Sequence, residues 1–213
     1  MIFPKDDPSS VEHAASSLSS GKIVVIPTDT IYGFSGIVDV EMDSQFHTGD
    51  RIRQIKGRDE TKPFIHLIAN PEDIRVYTND TIPEELLSKW PGALSIIVRV
   101  KPGSPLESEG KTAAFRCPDD PWLRSVINAV GAPIYSTSVN RSGQAPLVDV
   151  AEIEKQFGSE VDLIVFDGDM EEDRLPSTIV SLLENGKYTI IRQGSVILEK
   201  PRKSFFSRLF KKH

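Results

Sequence analysis

The chain has 213 residues, 38% of them hydrophobic and 26% charged, with a formal net charge of −6, values ordinary for a globular protein with one substantial core. A single cysteine, Cys117, excludes an internal disulfide framework and a cysteine-based metal cluster, and points to a reducing, cytoplasmic compartment. The longest apolar runs, such as IVVI at 23–26, are strand-sized and far short of a membrane span, and MIFPKDDPSS lacks the regions of a secretory signal, so none is expected.

Residues 10–20 have the pattern of a helix, with Ser9 or Ser10 as cap, Val11, Ala14, Ala15 and Leu18 on one face and Gly21 as terminator. KIVVI is a buried strand ended by Pro27, followed by the polar turn TDT and the small-residue run YGFSG. EMDSQFHTGDRIRQI is expected to be helical, PFIHLIA (63–69) a strand, and PEDIRVY and PEELLSKW helices that open on Pro and acids. LSIIVRV (94–100) and TAAFRC (112–117) are strands separated by the loop KPGSPLESEG. DDPWLRSVINAVG is a capped helix ending at Gly131, IYSTS a short strand, and NRSGQAP a loop. Asp149 caps a helix through Phe157, VDLIVFDG is a strand, and TIVSLL–ENG–KYTIIR is a hairpin around Asn185 and Gly186. This irregular mixture predicts an α+β, three-layer α/β domain with an open twisted mixed β-sheet flanked by helices.

Charge is uneven along that order. Residues 200–213, KPRKSFFSRLFKKH, carry six cations and no acid, which leaves 19 cations against 31 acids over residues 1–199, a net of −12. An acidic body repels nucleic acid over most of its surface, so a bound polyanion is expected to be small or locally docked. In the tail, Phe205, Phe206, Leu209 and Phe210 form one apolar face flanked by cations. That face suits a membrane surface, a partner groove or tRNA; a frayed terminus accounts for it as well.

Four polar clusters lie at strand ends, where binding loops tend to sit. Pro27-Thr28-Asp29-Thr30 offers hydroxyls and amides to a small polar ligand, although a turn closed by its own hydrogen bonds needs none. RIRQIKGRDETKP (51–63) concentrates five cations. A helix end explains Arg51 and Arg53, whereas Lys56, Arg58 and Lys62 suit phosphate oxygens, with Gly57 turning the backbone between them. Ser136-Thr137-Ser138-Val139-Asn140-Arg141-Ser142-Gly143 is dense in hydroxyl and amide groups, a composition that plain loops share. The final hairpin should bring Ser177 next to Arg192. No GxxxxGK[ST] or GxGxxG is present, and His13, His47, His66 and His213 show no metal spacing. Within the apolar FIHLI, His66 reads first as a packed core residue, and Cys117 as a packed strand-end residue rather than a nucleophile.

PTDTIYG, IKGRDETKP, WPGALSIIV, TAAFRCP, STSVNRSG, STIV and RQG occur in that order. Together they resemble the YrdC-type L-threonylcarbamoyladenylate synthase family over about residues 9–197. The most specific element is K-x-R … S-x-N, here Lys56-Gly57-Arg58 and Ser138-Val139-Asn140. The resemblance implies a YrdC-like domain over 1–199 with a concave, positively charged cavity, and residues 200–213 as an appended tail. The implied reaction joins L-threonine, bicarbonate and ATP into threonylcarbamoyl-adenylate with release of pyrophosphate. A separate transferase complex then uses the product for N6-threonylcarbamoylation of tRNA. Transient contact with that complex and weak RNA binding are the partners expected besides the small-molecule substrates.

Carried over by position, Arg58, Lys62, Thr112, Asn140 and Arg192 are implied on the nucleotide side, and Thr30, His66, Arg116 and Ser177 on the threonine side. Ser138 is implied at both. Lys56 and Arg58 form the catalytic cationic signature, and Mg²⁺ is expected on the ATP phosphates rather than in a protein metal site. Three departures are visible: Gln193 replaces the Pro of R-P-G, Pro146-Leu147-Val148 replaces a Ser-Pro-Thr, and PFIHL is one residue shorter than in many relatives. Larger members carry an additional C-terminal domain, and the single-domain form is expected here. The acyl-adenylate chemistry needs positioning and charge neutralisation more than a nucleophile, and no general base stands out. An RNA-binding or ribosome-assembly module using the same cations, and a carbamoyltransferase-like domain, are the alternatives.

Overall fold

In the computed structural model, which describes residues 1–38, 46–57, 63–184 and 187–198, the apolar runs become strands of one sheet. In chain order the elements are β1 (Ile2–Pro4), α1 (Ser10–Ser19), β2 (Val24–Ile26), β3 (Gly33–Ile37), α2 (Thr48–Lys56) and β4 (Ile65–Leu67). A 3-10 turn (Pro71–Val76), α3 (Glu84–Leu87), β5 (Leu94–Arg99), a second 3-10 turn (Glu107–Glu109) and β6 (Thr112–Arg116) follow. The chain continues through α4 (Pro121–Val130), β7 (Ile134–Ser138), α5 (Val150–Phe157), β8 (Leu163–Phe166), β9 (Thr178–Glu184) and β10 (Lys187–Arg192).

The strands run in the order β1-β8-β2-β3-β7-β4-β6-β5-β9-β10. Pairs β1/β8, β2/β8, β4/β6 and β5/β9 are parallel and the others antiparallel, so the sheet is mixed, as expected. Side chains alternate between its faces. On one face Ala14, Ala15 and Leu18 of α1 and Leu123, Val126 and Ile127 of α4 pack on Val24, Ile26, Leu67, Ile134, Leu163 and Val165. On the other, Ile52 and Ile55 of α2 and Ile153 and Phe157 of α5 cover Phe34, Phe115 and Tyr135. Phe34 and Phe157, both fully buried, meet edge to face with ring centroids 4.9 Å apart, the arrangement favoured by the ring quadrupoles. Three layers result.

Local signals set the helix ends. Asp120 caps α4 by accepting from the Leu123 N–H at 3.0 Å, and Gly131 closes it at φ 73°. Asp149 caps α5 through the Glu152 N–H. In α1 Ser9 is the N-cap residue, as expected, but its side chain caps no helix N–H; its N–H and hydroxyl both donate to the Asp7 carboxylate. The small-residue run YGFSG, given no element in the sequence, continues into β3 (GFSGI), which lies between β2 and β7 in the sheet. The expected helices at PEDIRVY and PEELLSKW are a 3-10 turn and a single four-residue turn. Asn185, Gly186 and the tail 200–213 lie outside the described residues, as does the beginning of the helix expected from Glu41. Among the described residues no helix is long and apolar enough to cross a membrane.

Candidate active site

The face covered by α1 and α4 is only partly covered. Along β7, Ile134, Ser136 and Ser138 share that face, and the side chains change from apolar to hydroxyl where the helices end. Beyond that line lies a cleft of about 190 Å³, walled by the Thr28–Gly33 turn, Pro63 and Ile65 of the β4 segment, Arg116, Ser136–Ser138, Pro146, Pro176, Ser177, Ile179 and Arg192. Its polar lining side chains are the hydroxyls of Thr, Ser and Tyr32 and the guanidiniums of Arg116 and Arg192.

Arg116 anchors one end. It is 4% exposed, and a buried guanidinium requires partners. Its Nη1 donates to Thr30 Oγ1 at 2.8 Å, its Nη2 to Asp29 Oδ1 at 2.5 Å and its Nε to the Gly92 carbonyl at 3.1 Å. Thr28 organises the turn beneath: its hydroxyl accepts from the N–H groups of Thr30 and Ile31 and lies 2.9 Å from Thr30 Oγ1. The turn therefore is self-bonded, as its composition allows, and still presents Thr30 to the cleft.

Arg192 anchors the other end. As the hairpin geometry requires, its Nη2 donates to the Ser177 carbonyl at 2.7 Å and lies 3.2 Å from Ser177 Oγ, which is also 2.9 Å from Ser95 Oγ. Arg192 makes no ion pair among the described residues. Burial depresses its pKa below the usual value, and the nearby charge of Arg116 depresses it further. The two cations thus face a common space. Gly194 permits this closure: a Cβ there would lie 2.1 Å from the Pro176 carbonyl oxygen.

Lys56 and Asn140 have a different placement. Lys56, 2% exposed, turns inward and donates to the carbonyls of Ser138 and Asn140 and to Asn140 Oδ1, the latter two at 2.9 Å. Asn140 Oδ1 also accepts from the Ser138 hydroxyl at 2.6 Å, while its Nδ2 donates to the carbonyls of Arg141 and Gln144. All three donors of an ammonium and all hydrogen-bonding positions of an amide are then occupied. Neither residue is part of the cleft wall. The S-x-N loop is held from behind by the Lys, with Ser138 alone of the three reaching the cleft.

His66 lies apart from the cleft. Ile65 faces the cleft, and period 2 turns His66 to the opposite side of the sheet, against Phe115 and Tyr135. There Nδ1 lies 3.1 Å from the Ala114 carbonyl and Nε2 lies 3.2 Å from Glu109 Oε2. His66 is the packed residue its apolar setting suggested. Thr112 shares the face of Arg116 but stands four residues away, about 13 Å, and is exposed at the start of β6. Arg58 and Lys62 lie outside the described residues. Cys117 is buried away from solvent, and desolvation pushes its thiol up to about 11. Ser136 and Asp29 belong to two of the polar clusters at strand ends, Ser136 in the cleft wall and Asp29 on Arg116. Ser136 was legible, since alternation along IYSTS places it with Ser138; the pairing of Asp29 with Arg116, 87 residues away, carried no local signal.

These features make a cleft with an arginine–hydroxyl pair at each end, on a partly covered mixed sheet. A family model described as Sua5/YciO/YrdC, telomere recombination, matches residues 16–194. The chain belongs to that family. It is 31% identical over 193 residues to a putative threonylcarbamoyl-AMP synthase of Methanocaldococcus jannaschii, covering 89% of this chain and 88% of the relative. It is 29% identical to the threonylcarbamoyl-AMP synthase of Bos taurus, covering 86% of this chain and 67% of that protein. The crystal structure of P. abyssi Sua5 complexed with L-threonine superposes with a TM-score of 0.76 at 26% identity, over 91% of this chain and 57% of Sua5.

Proposed function

We infer that this chain is an enzyme that makes L-threonylcarbamoyladenylate from L-threonine, bicarbonate and ATP, releasing pyrophosphate for a product that feeds tRNA modification. The observation that carries this reading is the pair of arginine–hydroxyl ends, Arg116–Thr30 and Arg192–Ser177, facing one cleft on a scaffold shared with a Sua5 solved with L-threonine. Relatives named as the synthase support it, and favour it over an RNA-binding module.

Arg116 takes the threonine carboxylate with Thr30 beside it, and Ser177, bonded to Arg192 at the other end, offers its hydroxyl to the threonine from across the cleft. In a closed site an unmet hydrogen bond is costly, which lets such groups select the threonine hydroxyl. Arg192, with Arg58 and Lys62 from the neighbouring segment, takes the phosphates and makes the cavity cationic. Ser138 lines the same cleft, and a nucleotide reaching Thr112 would have to extend beyond the cleft wall along β6. In the reaction the threonine nitrogen bonds to the bicarbonate carbon with loss of water, and the resulting carbamate oxygen bonds to the α-phosphorus. The bond from that phosphorus to the bridging oxygen breaks and pyrophosphate leaves. Mg²⁺ enters with the ATP phosphates as part of the substrate. The setting is cytoplasmic, with transient delivery to the transferase complex.

The test is incubation with ATP, Mg²⁺, bicarbonate and each amino acid, followed by mass detection of the adenylate. Threonine-dependent product and pyrophosphate are expected. Their absence, with RNA affinity retained, would replace this reading by the binding module.

A further inference from the structure

Among the described residues, Asp29 is the one carboxylate paired with a cleft arginine, Arg116. Its side chain is 12% exposed, and three segments meet on it. Oδ1 accepts from Arg116 Nη2 at 2.5 Å, Oδ2 accepts from the Asp119 N–H at 3.0 Å, and its carbonyl accepts from Arg174 Nη2 at 3.3 Å. The turn after β2, the segment after β6 and the loop before β9 are thereby joined at one residue.

The donor count on Arg116 gives this contact its meaning. A guanidinium has five N–H groups, and Asp29, Thr30 and Gly92 take one each. One N–H remains on each terminal nitrogen, the number a carboxylate needs for a two-point contact. With Asp29 in place the buried pair is neutral, and its orientation is set before any ligand arrives. Without the carboxylate, Arg116 and Arg192 would be two adjacent uncompensated cations, a site for any small anion. Bicarbonate and pyrophosphate, both present during turnover, would compete there. Burying an ion pair costs desolvation and adds little net stability, so core packing alone is a poor reason for a carboxylate at this position.

We propose that Asp29 is a positioning and specificity-determining residue: it holds Arg116 with two N–H groups toward the cleft and makes that end accept a zwitterionic α-amino acid rather than a simple anion. The carboxylate of the amino acid takes the two N–H groups, and its ammonium, two bonds away, is attracted to Asp29. The inference rests on the reading that Arg116 binds the threonine carboxylate.

The experiment compares the full-length wild type with Asp29→Asn and Asp29→Glu. Calorimetry measures binding of L-threonine and of 3-hydroxybutyrate, which is threonine without its amine, and pyrophosphate release gives KM for threonine and ATP. Asparagine keeps the size of the side chain and removes its charge. Asp29→Asn is expected to weaken threonine by about tenfold or more, to leave KM for ATP within about twofold, and to shrink the preference for threonine over 3-hydroxybutyrate. Asp29→Glu should recover part of that preference, and carries the comparison if the Asn variant does not fold. Equal weakening of both ligands would reduce Asp29 to a prop and overturn the specificity role. Unchanged threonine binding, or equal losses for threonine and ATP, would overturn the whole inference. A wild type that binds threonine in preference to 3-hydroxybutyrate yet makes no adenylate would defeat the proposed reaction and leave this inference standing.

Discussion

The ammonium of Lys56 lies 2.9 Å from both the side-chain oxygen and the carbonyl oxygen of Asn140, and packs 5.4 Å from the centroid of Phe34. The two signature tripeptides, far apart in sequence, are thus bonded to each other before any substrate is present. Replacing Lys56 with Met leaves the carbonyls of Ser138 and Asn140 and the Asn140 amide oxygen without that charged donor. Hydrogen bonds to a charged group contribute about 1.5–3 kcal/mol each and are not additive, so a loss of about 3 kcal/mol is expected. Urea unfolding of the ligand-free protein checks it; a Lys56→Met variant as stable as the wild type would show that the contact is incidental.

The position of His66 gives a prediction opposite to that of the family pattern. Its ring is on the far side of the sheet, with Glu109 and the Ala114 carbonyl as partners. His66→Gln is expected to change KM for threonine by less than about twofold, while lowering the thermal midpoint. A tenfold rise in KM with the midpoint unchanged would put the ring back in the site.

Gly194 sits where a side chain has no room. Gly194→Ala would bring a Cβ within 2.1 Å of the Pro176 carbonyl oxygen, backbone that cannot yield as a flexible side chain can. Overpacking of this kind costs about 1–3 kcal/mol, and the displaced 176–177 segment carries Ser177 away from Arg192. Lower stability together with higher KM for ATP is expected, measured by thermal unfolding and pyrophosphate release. Normal values for both would contradict the close approach.

Cys117 makes stability depend on alkaline pH. Its folded-state value of about 11 lies above its ordinary value of 9.0 because burial disfavours the thiolate. The unfolded chain therefore releases its proton first as pH rises. The contribution is complete below pH 9 and is lost as pH climbs toward 11, about 2–3 kcal/mol in all. Cys117→Ala should flatten that limb of the urea midpoint against pH. An identical slope in the variant would assign the limb to other groups.

The elements legible in the sequence were those with strong periodicity and punctuation, such as α1, α4, α5 and the strands β5 to β7. β3 was not legible because packing demands small residues that resemble a loop. A Cβ at Gly36 would stand 2.8 Å from Thr48 Cβ, and one at Gly33 would stand 3.0 Å from Ser136 Oγ. β1, three residues long, has meaning only through its pairing with β8. At the site, the approach of Ser177 to Arg192 followed from hairpin geometry. The inward turn of Lys56 did not, since spacing says that a lysine is near a loop but not which way its amine points.

The place of β8 between β1 and β2 has a consequence for synthesis. Ile2 is paired with Ile164, and Val24 with Leu163. The first strands to leave the ribosome must wait for a partner made near the end of the chain, roughly 8–30 s later at ordinary elongation rates. Until then Val24, Val25 and Ile26 are an open apolar edge, the kind of surface chaperones cover. Long-range pairing of this kind also slows folding. β1 and β2 are therefore completed only once β8 has been made, and a stalled or truncated translation product lacking residues 163–166 leaves that edge exposed.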